Sequence, residues 1–336
     1  MKFVNRRSKI FLVTSIGISI STALLVLFLT IDENTVSSLK QIRLEFLFLV
    51  LIIQIFNWFL WGLRIKFLCR SVDKETNLSV KDSFTTVISS LFFATITPSS
   101  MGGEPIRVYM LSKKGFSIGD STAVIVGERI LDMIFFIFAF VIALFLLKKV
   151  VSQDILTIAF IFIGFIIVLA SVGLIYGMIK PDSIKRLVNK FVKSEKILNK
   201  VNNEIDNFHD ALWKLITGNN KINVVYAAFL SFSIKMIDYL LPTIILLGLG
   251  IDVSNILLIC FAAQAIVYVI TAIPITPGSS GITEISMAYI YSIFINPSIV
   301  GIFVLIFRSL TYYFTMIIGA LSNLKLIRDY TVKEIL

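Results

Sequence analysis

Two short stretches decide how this chain folds: Ile96-Thr97-Pro98-Ser99-Ser100-Met101-Gly102 and Ile275-Thr276-Pro277-Gly278-Ser279-Ser280-Gly281. Five of the seven positions are identical, namely Ile, Thr, Pro, the second Ser and the final Gly. A glutamate follows each proline, Glu104 six residues on and Glu284 seven. Arg129 and Arg308 each stand 31 residues past their proline, and Leu131 matches Leu310. A lone Ile-Thr-Pro recurs by chance easily. The shared downstream arginine makes these stretches the centres of two related units.

Both units sit in strongly apolar surroundings. Of 336 residues, 57% are hydrophobic and 15% charged, with a mean hydropathy of +0.91. Soluble domains carry roughly 45–50% apolar and about 25% charged residues. The excess implies a polytopic integral membrane protein and excludes soluble enzyme folds. Six runs reach the ~20 residues that span a bilayer: Ile10–Ile31, Leu44–Gly62, Ser121–Leu147, Ile155–Ile179, Ile222–Leu249 and Ser298–Leu321. The first is too long for a typical signal-peptide core, and no small-residue cleavage site follows it, so it is expected to stay attached. Asp82–Thr97 and Thr283–Ile295 are short, and Asn255–Ile275 runs into Pro274 and Pro277.

Lysine and arginine orient the runs, because cytoplasmic loops are enriched in them. Of the 31 basic residues, 24 fall on one predicted face, Arg64 and Arg107 among them, and four fall on the other. This places both termini in the cytoplasm of a multi-pass cell-membrane protein. The first motif is then approached from the cytoplasmic side and the second from the outer side. Two similar units of opposite sense define an inverted-topology repeat. The expected fold is an all-α polytopic membrane protein, one transmembrane domain over 1–336. It has about six full spans and two broken or re-entrant helical hairpins. Repeat one covers 44–147 and repeat two 222–322. Between them, 182–216 has helical apolar spacing with Lys and Asn interleaved. It suits an amphipathic helix on the cytoplasmic membrane surface, or equally a linker packed on the bundle.

Proline removes a backbone donor and glycine accepts unusual dihedrals. Pro98, Ser99, Ser100, Gly102 and Gly103, like Pro277, Gly278, Ser279 and Gly281, therefore interrupt helices near membrane depth. Broken backbone there is tolerated where it lines a cavity, and free amides at a helix start suit an anion. Two kinked helices packed through small residues are the alternative. Charges in membrane helices are costly and face a cavity or a partner. Here they are Glu128, Arg129 and Asp132 at the start of one run, Lys235 and Asp238 in mid-span, and Arg308 alone in its span. Glu104 and Glu284 begin the returning arms. Guanidinium geometry matches a phosphate, so Arg129 and Arg308 are candidate substrate-binding residues. The six flanking charges are candidates to select a head group or carry protons. Structural ion pairs would also account for Glu128–Arg129 and Lys235–Asp238.

The chain holds one histidine, His209, in a polar stretch, and two cysteines, Cys69 and Cys260. This excludes a His-rich metal or haem site and implies no disulfide framework. No GxxxxGK[ST] loop is present, so no ATPase motor is built in. No cofactor, no metal and no nucleic-acid partner is expected.

The run from Pro98 to Arg107, then Glu128-Arg129-Ile-Leu-Asp132, then Pro277 to Glu284 with Arg308, resembles the transmembrane region of lysylphosphatidylglycerol synthases. These are also called flippase-like or UPF0104 membrane proteins. The resemblance covers nearly the whole chain and implies a lipid translocator with membrane lipids as partners. Two-part members carry a soluble synthase domain after this region. The chain ends at Leu336 without one, so it is expected not to be an enzyme. A separately encoded lipid-modifying synthase or glycosyltransferase is then an expected partner, and self-association is open. The motifs here are poorer in glycine than the family's, which bears on substrate more than on architecture. An ion-coupled carrier for a small solute and a membrane enzyme acting on a lipid phosphate are the rival readings.

Overall fold

A computed structural model describes residues 42–73, 75, 78–97, 101–147, 181–191, 195–218, 220–271 and 276–335, with scattered positions between 17 and 28. The runs 10–31 and 155–179 therefore lie largely or wholly outside the described residues, as do Pro98, Ser99 and Ser100. The described residues form eleven α-helices and no strand. Repeat one supplies α1 (Leu44–Val72), α2 (Val80–Thr95), α3 (Gly103–Ser112) and α4 (Ile118–Leu147). The connector supplies α5 (Pro181–Phe191) and α6 (Glu195–Thr217). Repeat two supplies α7 (Lys221–Gly248), α8 (Leu257–Thr271), α9 (Ile282–Tyr291), α10 (Pro297–Arg308) and α11 (Phe314–Ile335). One π-helical turn, Ser309–Tyr313, joins the last two. Leu44–Val72, Lys221–Gly248 and Pro297–Leu324 are long and apolar enough to cross a membrane.

The helix boundaries repeat with the motifs. Helices α3 and α4 start at 103 and 118, and α9 and α10 at 282 and 297. Both shifts are 179 (282 − 103 and 297 − 118), the distance that also separates Pro98 from Pro277 and Arg129 from Arg308. At ~1.5 Å per residue, α2 and α8 are about 24 and 22 Å long, short of the ~30 Å hydrocarbon layer. Each is followed by an arm that folds back. Arg107 on α3 reaches Ser90 on α2, while Gly102 packs against Thr97 and Phe93. Tyr291 on α9 reaches Cys260 and Gln264 on α8. Helices α8 and α9 thus pair with each other as α2 and α3 do, with 272–275 outside the described residues.

Helices α1 and α7 pack along each other. Arg64 meets Ser231, Asn57 meets Asp238, and Arg43 N–H reaches the Gly248 carbonyl. The number falls on one helix as it rises on the other, so these equivalent helices run antiparallel. The hairpins are exchanged: α2 packs on α11 of the other unit, and α8 packs on α4. Gly319 permits the first contact, since a Cβ there would lie 2.4 Å from the Phe92 nitrogen.

The two breaks meet each other. Gly278 N–H donates to the Thr97 carbonyl at 3.1 Å, and Tyr312 Oη donates to the Thr95 carbonyl at 3.2 Å. Gly278 and Ser279 hold φ of 58° and 52°, a left-handed geometry that is unusual for serine. The apolar cores differ between units. Around repeat two, Tyr291, Phe303, Val304 and Ile245 close one buried hydrophobic cluster. Around repeat one, Leu68, Leu111, Val124 and Leu212 form a second core.

The connector is two helices, with 192–194 outside the described residues. The apolar face of α6 buries Ala211, Leu212 and Leu215 against repeat one. At these positions it behaves as a packed linker. Glu204 Oε2 accepts the Gly119 N–H at 2.7 Å, capping the first turn of α4, where a carboxylate complements the helix dipole. Ile197, Trp213 and Ile216 on α6 stay exposed.

Candidate functional site

A polar layer occupies the junction of α1, α3, α4 and α7. Glu128 is its hub. Its Oε1 accepts hydrogen bonds from Trp61 Nε1 at 2.6 Å, Arg64 Nη2 at 2.8 Å and Arg64 Nε at 3.1 Å. Arg64 turns its Nη1 to Asp132 Oδ1 at 2.5 Å and to Ser231 Oγ at 3.0 Å. Glu128 and Asp132 share a face of α4 because they are four residues apart, and one guanidinium fork bridges them. Asp132 also faces Lys235 at 3.7 Å, and Lys235 faces Asp238 at the same distance. Asn57 Nδ2 donates to Asp238 Oδ1 at 2.7 Å.

Arg107 completes the layer. Its guanidinium lies 5.0 Å over the Trp61 ring, with Arg64 at 5.9 Å from the same ring. Its Nε stands 3.4 Å from Glu128 Oε2, but without hydrogen-bond geometry. Arg64 and Arg107 are thus buried ion-pair members, which corrects their place in the count of cytoplasmic loop charges. The apolar run ending at Gly62 continues as helix to Val72, because Trp58, Ile65 and Leu68 sustain the buried stripe on either side of Arg64. The signal was available in that spacing.

The two repeat-related arginines pair alike and sit differently. Arg129 Nε lies 2.6 Å from Glu104 Oε1, with the side chains 45% and 31% exposed. Arg308 Nε lies 2.9 Å from Glu284 Oε1, with the side chains 5% and 0% exposed. Arg308 also stacks 4.0 Å from the Tyr312 ring centre and donates to Ser280 Oγ at 3.3 Å. Glu284 Oε2 accepts the Gly281 N–H at 2.8 Å. The other amides of the second break donate to Thr97, Thr276 and Pro277 carbonyls. The anion nest expected over Gly278, Ser279 and Gly281 is therefore engaged within the protein, with Glu284 as its anion. At the first break, Gly102 N–H donates to Thr97 Oγ1 at 2.8 Å. Gly103 leaves room for Arg107, since a Cβ there would lie 3.3 Å from Nη1.

Sequence reading singled out Glu104, Glu128, Arg129, Asp132, Lys235 and Asp238, and the structure brings all six to the repeat-one side. Arg308 and Glu284 are held apart from them at the second break. Trp61, Arg64, Arg107, Asn57, Ser90 and Ser231 were not singled out.

The sequence profile of the lysylphosphatidylglycerol synthase transmembrane region matches residues 12–319, a span that holds both hairpins and both arginine–glutamate pairs. The chain belongs to this family. A UPF0104 membrane protein of Archaeoglobus fulgidus is 33% identical over 330 residues, covering 94% of this chain and 98% of that one. A UPF0104 membrane protein of Methanocaldococcus jannaschii is 28% identical over 86% of this chain and 87% of its own. One of Methanothermobacter thermautotrophicus is 26% identical over 70% and 72%. No solved structure matches. Like its family, the chain is an all-α membrane protein.

Proposed function

We propose that this protein translocates a phospholipid or polyprenyl-phosphate-type lipid between membrane leaflets. The head group passes along the polar layer of repeat one while the tails stay in lipid. Arg129 meets the phosphate, and Glu104 occupies Arg129 when no substrate is bound. The observation that carries this reading is the contrast within the repeat. The Arg129–Glu104 pair is open to its surroundings, and its mate Arg308–Glu284 is sealed. An exposed ion pair stabilises the fold little, so its place beside a buried charged layer suits a ligand site better than a structural one. Family membership supports a lipid as the substrate class.

In this reading Arg308 and Glu284 hold the second hairpin rather than the head group. The two units are inverted relative to each other, which the antiparallel α1 and α7 support; the lysine and arginine distribution supports cytoplasmic termini in the cell membrane. No chemical step is assigned. A separately encoded lipid-modifying enzyme would supply the substrate. Purified protein in liposomes with a fluorescently labelled phospholipid tests the reading. Protein-dependent exposure of inner-leaflet label is expected, and a rate equal to that of protein-free liposomes refutes it.

A further inference from the structure

Arg107 is chemically unfinished. Its side chain is 2% exposed, yet among the described residues it makes one hydrogen bond, from Nη1 to Ser90 Oγ, at 3.4 Å. Among the described residues its Nε has no hydrogen-bond acceptor, and the facing Glu128 Oε2 has no donor. Arg64, on the same glutamate, makes four hydrogen bonds. A guanidinium carries five N–H donors in a fixed fork, and leaving buried charged donors unmatched is costly. Glu128 does not close on Arg107, because Trp61 and Arg64 already hold its other oxygen.

Gly103 offers no side chain beside Nη1. Ser90 Oγ accepts from Nη1 and gives its own proton to the Val87 carbonyl, so it holds the fork in place, and the Trp61 ring forms a wall. Arg107 lies one turn along α3 from Glu104, the partner of the exposed Arg129. Glu104, which meets Arg129 of α4, and the unmatched fork of Arg107 therefore lie on one short helix.

We propose that Arg107, its fork steadied by Ser90, is an inner site for a phosphate oxygen. The proposal rests on the translocator reading: a head-group phosphate first held at Arg129 passes inward to Arg107. The same chemistry would accept free inorganic phosphate.

Trp61 reports on this site directly. The chain has three tryptophans, so replacing Trp58 and Trp213 by Phe leaves Trp61 as sole emitter. The detergent-solubilised full chain is titrated with dihexanoylphosphatidylglycerol below its micelle concentration, and separately with inorganic phosphate, at constant ionic strength. A saturable emission change with the lipid is expected. Saturation by phosphate as well means that the site takes the phosphate group itself; saturation by lipid alone assigns the site to lipid. Arg107→Gln should abolish saturation. Arg107→Lys keeps the charge without the fork and should weaken binding roughly tenfold, as for one lost hydrogen bond to a charged group; it carries the test if Arg107→Gln does not fold. No saturable change with either ligand overturns the proposal, and so does an Arg107 variant that titrates like its parent. If binding at Trp61 persists but liposomes show no lipid movement, the translocator reading falls and the phosphate site stands.

Discussion

Arg308 Nε lies 2.9 Å from Glu284 Oε1, in a pair whose side chains are almost completely withdrawn from solvent. Breaking a buried pair by removing one partner costs about 3–5 kcal/mol, because the remaining charge is left uncompensated. Glu284→Gln and Arg308→Gln should each lower the thermal midpoint in detergent strongly. The double change Arg308→Met with Glu284→Met should recover much of that loss. Thermal unfolding followed by circular dichroism checks the order of the four proteins.

Gly278 tests the junction of the two breaks. Its φ is +58°, and an added Cβ would stand 2.5 Å from the Thr95 carbonyl and 2.6 Å from Tyr312 Cε2. Gly278→Ala should destabilise by about 1–3 kcal/mol from backbone strain alone. Tyr312→Phe loses the hydroxyl bond to Thr95 and should cost about 1 kcal/mol. The same melts separate the two effects.

Arg64 should not tolerate lysine. Its fork engages Glu128, Asp132 and Ser231 at once, and an ammonium group offers a point charge without that planar geometry. Arg64→Lys should therefore destabilise nearly as much as Arg64→Gln. Arg129→Lys, at an exposed pair, should change stability by less than about 1 kcal/mol. Melting the three variants beside the parent protein checks this contrast.

Much of the architecture was legible because it depends on periodic features. The repeated Ile-Thr-Pro with an arginine 31 residues on marked both units, and their helices begin at positions 179 apart. The short arms were too brief to cross a bilayer, and they fold back. The pairing inside the site was less legible. Glu104 and Arg129 were both visible as charges, but which acid meets which base depends on how α3 folds onto α4. Arg64 and Arg107 read as loop charges because each ends or follows an apolar run. Burial was decided by Trp61 and Glu128, which lie on other turns and helices. The sealed second site was hidden for a similar reason. Glu284 is one position out of register with Glu104, which lets it cap Gly281 N–H while still reaching Arg308.

Lipid movement in liposomes remains the most direct measurement. Wild-type protein, Arg129→Ala and the Arg308→Met, Glu284→Met double variant are reconstituted at equal density with a labelled phospholipid, and exposure of inner-leaflet label is followed by a membrane-impermeant quencher. The account predicts protein-dependent movement by wild type, at least a tenfold loss in Arg129→Ala, and movement retained by whatever fraction of the double variant is folded. Movement by Arg129→Ala at the wild-type rate would contradict it.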